Sequence, residues 1–460
     1  MSENIKKWIF FFAGISMALS IRYEPNWKSL DSRPLPAWYD EAKFSIFIHW
    51  GVFSVPSYSP NHESAWIWWY WKGQKLPWIV DFMEKNYRPD FMYADFAKDF
   101  TAEFFDANEW ANIFQASGAE YMVFTAKHHE GFCNWPTNHS FNWNSMAVGP
   151  KRDIVGELAA AIKSNTSLHF GLYHSLFEWF HPLYLRDKEN KFTTQDFVFD
   201  KTLPELYELI NDYKPDVIWS DGAYGGSPEY WQSLEFLAWL YNDSPVKDTV
   251  VTNDRWGSGS NCHHGGFLTC SDRYQPGHLL KRKWETAVTV DMISWGYRRN
   301  AVFDNYISTR VALSTLVRTV SYGGNMLMNI GPTSSGTIAP IFEERLRDMG
   351  AWLSVNNEGI KGTRPWTHQN DTIARGLWYT KKGTNVYAIS FYWPDNSTLS
   401  LGAPVTTPTT TVTMLGYSGT ISWKARPTSG IDITLPPIPF NKLPCQNAWT
   451  FKMSGLSNIE

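Results

Sequence analysis

The sequence predicts an α/β fold: a parallel (β/α)8-like TIM barrel followed by a C-terminal antiparallel β-sandwich. Three observations predict it. From about residue 40 to 360, short, nearly continuous apolar runs alternate with amphipathic stripes, as expected of parallel strands buried on both faces and separated by helices. Reactive polar residues come directly after the ends of those runs. Past Gly359–Pro365 the pattern becomes Thr-rich and alternating, with turn residues at short intervals, which reads as an antiparallel sandwich.

The strand candidates, in chain order, are 44–50, 121–126, 168–174, 217–221, 249–253 and 326–330. Between them lie stripes at helical spacing: Ile154, Val155, Leu158, Ala161 and Ile162; then Leu206, Leu209 and Ile210; then Phe342, Leu346 and Met349. A doubly wound sheet would share this alternation. The strand ends decide for the barrel: His49-Trp50-Gly51, Lys127-His128-His129-Glu130, Tyr173-His174-Ser175, Trp219-Ser220-Asp221-Gly222 and Asn253-Asp254-Arg255-Trp256. A barrel gathers its C-terminal strand ends at one mouth, where active sites sit. No glycine-rich phosphate fingerprint succeeds the first strand, so a dinucleotide or nucleotide site has no support. The later strand candidates are 386–391, 399–401, 409–415, 420–423 and 431–435. The organisation expected is a targeting segment 1–20, a barrel domain 21–360 and a sandwich domain 361–460.

Residues 1–20 have the form of a cleaved signal peptide: Lys6 and Lys7, then an apolar run from Trp8 to Leu19, then Ala18 and Ser20 as small residues before the cut. That run is short for a bilayer span and no later run is longer, so no membrane span is expected after cleavage. Sequons at Asn138, Asn165, Asn242, Asn370 and Asn396 fit a secreted or lysosomal glycoprotein. Asn242, with Asp-Ser-Pro after it, is the poorest acceptor. The chain has four cysteines, too few for a disulfide framework. Cys262 and Cys270 are close enough to close a small loop, which leaves Cys133 and Cys445 free. Without a zinc-ligand spacing, neither metal nor cofactor is expected. A net charge of −4 with no basic block argues against nucleic acid. The 25 tryptophans suggest sugar-stacking surfaces, although a Trp-rich core would account for them equally well.

Glycoside hydrolysis needs two carboxyl groups flanking the anomeric carbon. Asp221, Asp254, Asp272 and Glu285 lie near predicted strand ends. Asp221 is the best nucleophile candidate, since it ends an apolar strand beside Trp219 and precedes a glycine that lets the backbone turn away. An ordinary Asp-Gly turn is the alternative.

The segments "SLDSRPLPAWYDEAKFSIFIHWGVFSVPSY", "TAKHHEGFCNWP", "GLYHSLFEWFHPLYL", "YKPDVIWSDGAYG", "VVTNDRWG", "SWGYRR" and "GGNMLMNIGPTSSG" resemble, in order, those of animal-type α-L-fucosidases of glycoside hydrolase family twenty-nine, from about Tyr23 to Leu456. The resemblance implies a retaining exo-α-L-fucosidase that removes terminal α-L-fucose from fucosylated glycans through a covalent fucosyl-enzyme, with Asp221 as nucleophile. It implies that His49, His128 and His129 bind fucose hydroxyls. Tyr173 and Arg255 would sit beside the nucleophile, and Trp66 and Trp295 would wall the sugar. It leaves two acid/base candidates, Asp272 and Glu285. Asp272 is favoured because it lies just past the Cys262–Cys270 loop. Glu285 reads alternatively as a structural ion-pair residue.

The chain departs from the family pattern at three places. Ala65 stands where relatives usually have Glu, with Glu63 two positions earlier. Ala223 replaces an acidic residue that often succeeds Ser-Asp-Gly, and Ser271 replaces a frequent Glu before Asp272. Losing a sugar-binding carboxylate at position 65 should weaken fucose binding, seen as a raised KM, unless Glu63 takes over. These losses also raise a second reading, a catalytically weakened, lectin-like fucose-binding paralogue. Linkage preference, any homo-oligomer, and lysosomal against extracellular destination are left open.

Overall fold

The computed structural model describes residues 22–459, so the signal-peptide segment lies outside them. Seven strands form one parallel sheet: β1 (Phe44–Ile48), β2 (Tyr121–Lys127), β3 (His169–Ser175), β4 (Val217–Asp221), β5 (Val251–Thr252), β6 (Glu285–Thr289) and β7 (Asn325–Ile330). Their order is β5-β4-β3-β2-β1-β7-β6. The sheet curls until its edges nearly meet. Between β5 and β6 runs the pair Phe267–Leu268: the Phe267 N–H donates to the Thr252 carbonyl at 3.0 Å, and the Glu285 N–H donates to the Leu268 carbonyl at 2.8 Å.

Both faces of the sheet are apolar, as the continuous runs required. Inside the curl, Phe47, Tyr121, Val123, Tyr173, Val217, Trp219, Ala287 and Leu327 pack on one another. Outside, Ile46, Met122, Phe124, Phe170, Leu172, Ile218, Met326 and Met328 meet the helices. The stripe on Ile154–Asn165 is buried as its spacing predicted, and the helix starts at Asp153, whose carboxylate accepts from the Gly156 N–H at 2.9 Å. Phe342, Leu346 and Met349 are buried on Pro340–Asn356.

Two further sheets come next in the chain, built from β8 (Leu377–Lys382), β9 (Asn385–Ser390), β10 (Thr398–Leu401), β11 (Thr411–Met414), β12 (Ser422–Ala425), β13 (Ile431–Thr434) and β14 (Trp449–Ser454). Their orders are β10-β13-β12 and β11-β14-β9-β8, antiparallel throughout. Leu377, Tyr379, Val386, Leu399, Ile431, Ile433, Phe451 and Met453 fill the space between them. The Trp352 indole N–H donates to the Ala448 carbonyl at 2.9 Å, tying the helix Pro340–Asn356 to this unit.

Three strands escaped the sequence reading. β6 reads Glu-Thr-Ala-Val-Thr, with a charged first residue that suggests surface; β8 and β14 carry lysines on their exposed faces. Among the sequons, Asn138, Asn165, Asn370 and Asn396 are exposed. Asn242 exchanges two hydrogen bonds of 2.8 Å with the backbone of Tyr23. Among the described residues, no helix is long and apolar enough to cross a membrane.

Beneath the β2 and β3 ends lies a buried charge network. The Lys127 ammonium donates to Glu205 at 2.6 Å and Glu178 at 3.0 Å, and Lys201 donates to Glu205 at 2.8 Å. His174 Nε2 lies 3.0 Å from Glu205 as well. Removing one partner of a buried pair strands a charge in a low-dielectric interior. Glu205→Leu should therefore destabilise the fold by about 3–5 kcal/mol, read from the denaturant midpoint. Adding Lys127→Met should recover part of that loss. An unmoved midpoint in the single variant would show that the network does not hold the strand ends.

Candidate active site

A cavity of about 380 Å³ opens at the C-terminal ends of the parallel strands. Its lining includes His49, Trp66, His128, His129, Tyr173, Asp221, Arg255, Asp272 and Trp295. These side chains come from segments far apart in the chain, His49 and Trp295 being the extremes; the curl of the sheet gathers them. Phe47 and Trp219 complete the floor, and the exposed Tyr224 stands at the rim.

Asp221 ends β4. It accepts a hydrogen bond from the Tyr173 hydroxyl at 2.8 Å, and Arg255 Nη1 lies 3.4 Å from its other oxygen. The second guanidinium nitrogen of Arg255 donates to Asp272 at 2.7 Å, so one cation spans both acids. Arg255 is itself fixed: its Nε donates to the Thr269 hydroxyl at 3.0 Å, and its guanidinium lies 4.7 Å over the Trp219 ring. Burial lifts the Asp221 carboxyl above its usual range, although Arg255 opposes the rise. Burial also opposes ionisation of Asp272, but the charge and hydrogen bond of Arg255 outweigh it and hold that carboxyl low.

The three histidines are neutral. Burial pushes His49 down to about 3, His128 to about 4 and His129 well below its usual value. Two tautomers can be assigned from partners. Asn329 donates its amide to the Trp295 carbonyl at 2.7 Å, so its oxygen accepts from His49 Nδ1–H at 2.7 Å. The Ser175 hydroxyl donates to the Phe177 carbonyl at 2.6 Å, so Ser175 accepts from His129 Nδ1–H at 2.6 Å. The Nε2 of each ring is thereby left a bare acceptor. That of His129 lies 3.5 Å from Asp221. With the ring neutral this is no ion pair, and the acceptor is free for a ligand hydroxyl.

Two of the carboxyl candidates lie outside the cavity. Glu285 opens β6 and is sealed inside the curl, where it accepts from the Trp219 indole N–H at 3.0 Å, from the Tyr39 hydroxyl at 3.0 Å and from Tyr121. Its acid/base assignment is corrected on that ground, because it is buried among three donors and does not line the cavity; nor does it form an ion pair. Asp254 accepts from the backbone N–H groups of both Cys262 and Cys270, at 2.8 and 3.1 Å, and from Thr269 at 2.5 Å. It thus clamps the loop whose cysteines are joined in a disulfide. Cys133 and Cys445 are unpaired.

Ala223 and Ser271 line the cavity, so those departures do remove side chains from the site. Ala65 does not line it. Ala65 is 1% exposed and packed in the outer core. Glu63 takes an unforeseen role: it accepts from the backbone N–H of Trp295 at 2.6 Å, Gly296 at 3.2 Å and Ala65 at 2.9 Å, and from Ser294 at 3.1 Å. It holds Trp295 in place rather than facing a ligand, and burial raises its carboxyl to about 7. Asn329 and Ser175 were missed because each acts through another side chain and no local motif marks it, whereas Glu63 was named but for a sugar-binding role. Among the described residues no cluster of His, Cys, Asp and Glu is grouped to hold a metal ion.

Comparison with known proteins gives one consistent answer. The sequence model of the Alpha-L-fucosidase family matches residues 11–358, and that of the Alpha-L-fucosidase C-terminal domain matches residues 369–454. The chain is 59% identical over 443 residues to an alpha-L-fucosidase of Branchiostoma floridae, covering 96% of this chain and 98% of that one. It is 54% identical over 435 residues to the tissue alpha-L-fucosidase of Homo sapiens, covering 95% and 92%. Among solved structures, the alpha-fucosidase of Thermotoga maritima in complex with a mechanism-based inhibitor superposes with a TM-score of 0.81 at 32% identity, covering 94% and 100%. The same enzyme in complex with fucose gives a TM-score of 0.79 at 32% identity, again covering 94% and 100%.

The packing around Trp295 sets an expectation for the unusual segment. Glu63→Ala should raise KM about tenfold or more, with a smaller change in kcat, since it releases Trp295, which lines the cavity. Ala65→Glu should lower the thermal midpoint by several degrees, because it buries a carboxylate in a packed apolar site, and should not tighten fucose binding. Tighter binding would put position 65 in the sugar site.

Proposed function

Because this chain belongs to the α-L-fucosidase family, whose members are glycoside hydrolases, we propose that it releases terminal α-L-fucose with retention, through a covalent intermediate on Asp221. The observation that carries the reading is the single guanidinium of Arg255 bound to both Asp221 and Asp272. It keeps the two acids close, which favours the retaining spacing of about 5–5.5 Å over the wider inverting one.

In the first step an Asp221 oxygen attacks the anomeric carbon while Asp272, which must carry the pair's proton at that moment although Arg255 holds its carboxyl low, gives that proton to the departing glycosidic oxygen. The C–O bond to the leaving group breaks as the fucosyl ester forms. In the second step Asp272, now ionised, takes a proton from water; the water oxygen bonds to the anomeric carbon and the ester breaks, freeing Asp221. The bare Nε2 acceptors of His49 and His129, with His128, receive hydrogen bonds from fucose hydroxyls. Trp66 and Trp295 wall the sugar, including its C6 methyl group, and Tyr173 holds the nucleophile's second oxygen.

The substrates in this reading are fucosylated glycans, met in a lysosomal or extracellular compartment, with exposed sequons available for glycosylation. The curled sheet, with Phe267–Leu268 as its eighth strand, is taken as a (β/α)8-like barrel spanning residues 21–360, and the antiparallel sheets as a β-sandwich domain at 361–460. The lectin-like alternative has nothing in its favour beyond Ala223 and Ser271, since both acids and the histidines are in the cavity.

Asp221→Ala should lower turnover of an aryl α-L-fucoside by several orders of magnitude, and azide should partly restore it, giving the β-fucosyl azide. Nuclear magnetic resonance of the wild-type reaction should show α-L-fucose as the first product; β-L-fucose would overturn the retaining mechanism. The pH profile tests Arg255. The pair must carry one proton, so kcat/KM should be bell-shaped, its limbs belonging to the two acids together. Arg255 lowers both carboxyls, so Arg255→Met should move both limbs to higher pH as well as slow the reaction. Unmoved limbs would separate Arg255 from the proton-transfer pair.

A further inference from the structure

Glu285 is a fully buried carboxyl that the mechanism leaves unused, and its surroundings give it a task. Two of its donors, Tyr121 and Trp219, line the curl, the third, Tyr39, comes from the helix Ala37–Ala42 packed into the same interior cluster, and Trp219 is part of the floor of the cavity. The Trp219 ring stacks with Tyr173 at 5.6 Å between centroids and 24° between planes, and tilts against Phe47 at 5.3 Å. It also carries the Arg255 guanidinium at 4.7 Å. Tyr173 and Arg255 are the two residues that hold Asp221, and Arg255 holds Asp272 as well. Packing confines this buried indole, and the hydrogen bond from its one N–H to Glu285 fixes which way its edge points.

We propose that Glu285 is a positioning residue for the reaction: it fixes the Trp219 plane through the indole N–H, and through that plane sets the places of Tyr173 and Arg255 against both catalytic acids. The proposal rests on the reading of Asp221 and Asp272 given above. It makes a chemical demand that an acid/base role does not. An acceptor must face the indole N–H, but no proton need leave. A glutamine meets that demand, its carbonyl oxygen toward Trp219 and its amide toward Tyr39 and Tyr121, whose hydroxyls can turn to accept.

The test uses the full-length enzyme and two substrates, 4-nitrophenyl α-L-fucoside and a fucosylated disaccharide, which differ in how much protonation the leaving group needs. Glu285→Gln should keep kcat/KM within about fivefold on both, whereas Glu285→Met should lose about tenfold to hundredfold on both alike. Azide should restore neither. Trp219→Phe, which keeps an aromatic floor without the N–H, should lose a similar factor, and adding Glu285→Met to it should cost little more. If Glu285→Met does not fold, as judged by near-ultraviolet circular dichroism, the pair Glu285→Gln and Trp219→Phe still decides: the first should be near wild type, the second not, and combining them should add nothing. A loss in Glu285→Gln confined to the disaccharide and rescued by azide would make Glu285 the proton donor, overturning both this proposal and the role of Asp272. Additive losses in the double variant, or an unimpaired Glu285→Met, would overturn the link through Trp219 alone and leave the assignment of Asp221 and Asp272 standing.

Discussion

Two carboxyl groups share one partly buried cavity, and the positive charge of Arg255 sits between them. At low dielectric the repulsion between two such anions is severe, and Arg255 lowers the proton affinity of both acids against it. The rest of the site is arranged around the guanidinium. Thr269 takes its Nε hydrogen, Trp219 takes its face, and the two acids take its remaining nitrogens. Because the same cation touches both acids, any shift of Arg255 toward one changes the proton affinity of the other. That is the property a cycle needs when one residue must give up a proton and later retrieve it.

The histidines work by the opposite device. They are deprived of charge by burial and of freedom by their partners. Asn329 and Ser175 are polar residues whose own hydrogen bonds are already directed, so each can take only one kind of bond from the ring beside it. The result is a set of acceptors with fixed orientation, suited to recognising hydroxyl groups by their protons. A charged imidazolium would donate instead, and would compete with Arg255 for the acids.

The strand-end residues were legible in the sequence because a parallel strand buried on both faces writes an apolar run, and the residues just past the end of that run stand at the mouth. The segments that carry His49, His128, His129, Tyr173, Asp221 and Arg255 were found that way, and Asp221 was singled out within them, while the roles of the other five came from the resemblance. The resemblance added Trp66 and Trp295, which lie in loops where periodicity says nothing. Glu285 was misread because β6 opens on a charged residue and carries two threonines, so a strand start facing the inside of the curl resembled a loop end. Glu63 and Ala65 were misplaced for a related reason: residues two apart in a tight 3-10 turn point in different directions, and spacing alone does not say which one faces the cavity. The pairing of Cys262 with Cys270 was visible from proximity, but the carboxylate that organises their loop, Asp254, had looked like a catalytic candidate.

That loop has an implication for how the chain matures. Asp254 accepts the main-chain N–H of each cysteine while its other oxygen takes the Thr269 hydroxyl, so the two thiols are brought together by a carboxylate that belongs to the barrel and not to the loop. Oxidation then has no search to perform. The covalent bond records an arrangement that the folded chain has already made, in the manner of a rivet set after the plates are aligned. The loop is thus fixed twice, covalently by the sulfurs and by the hydrogen bonds of Asp254.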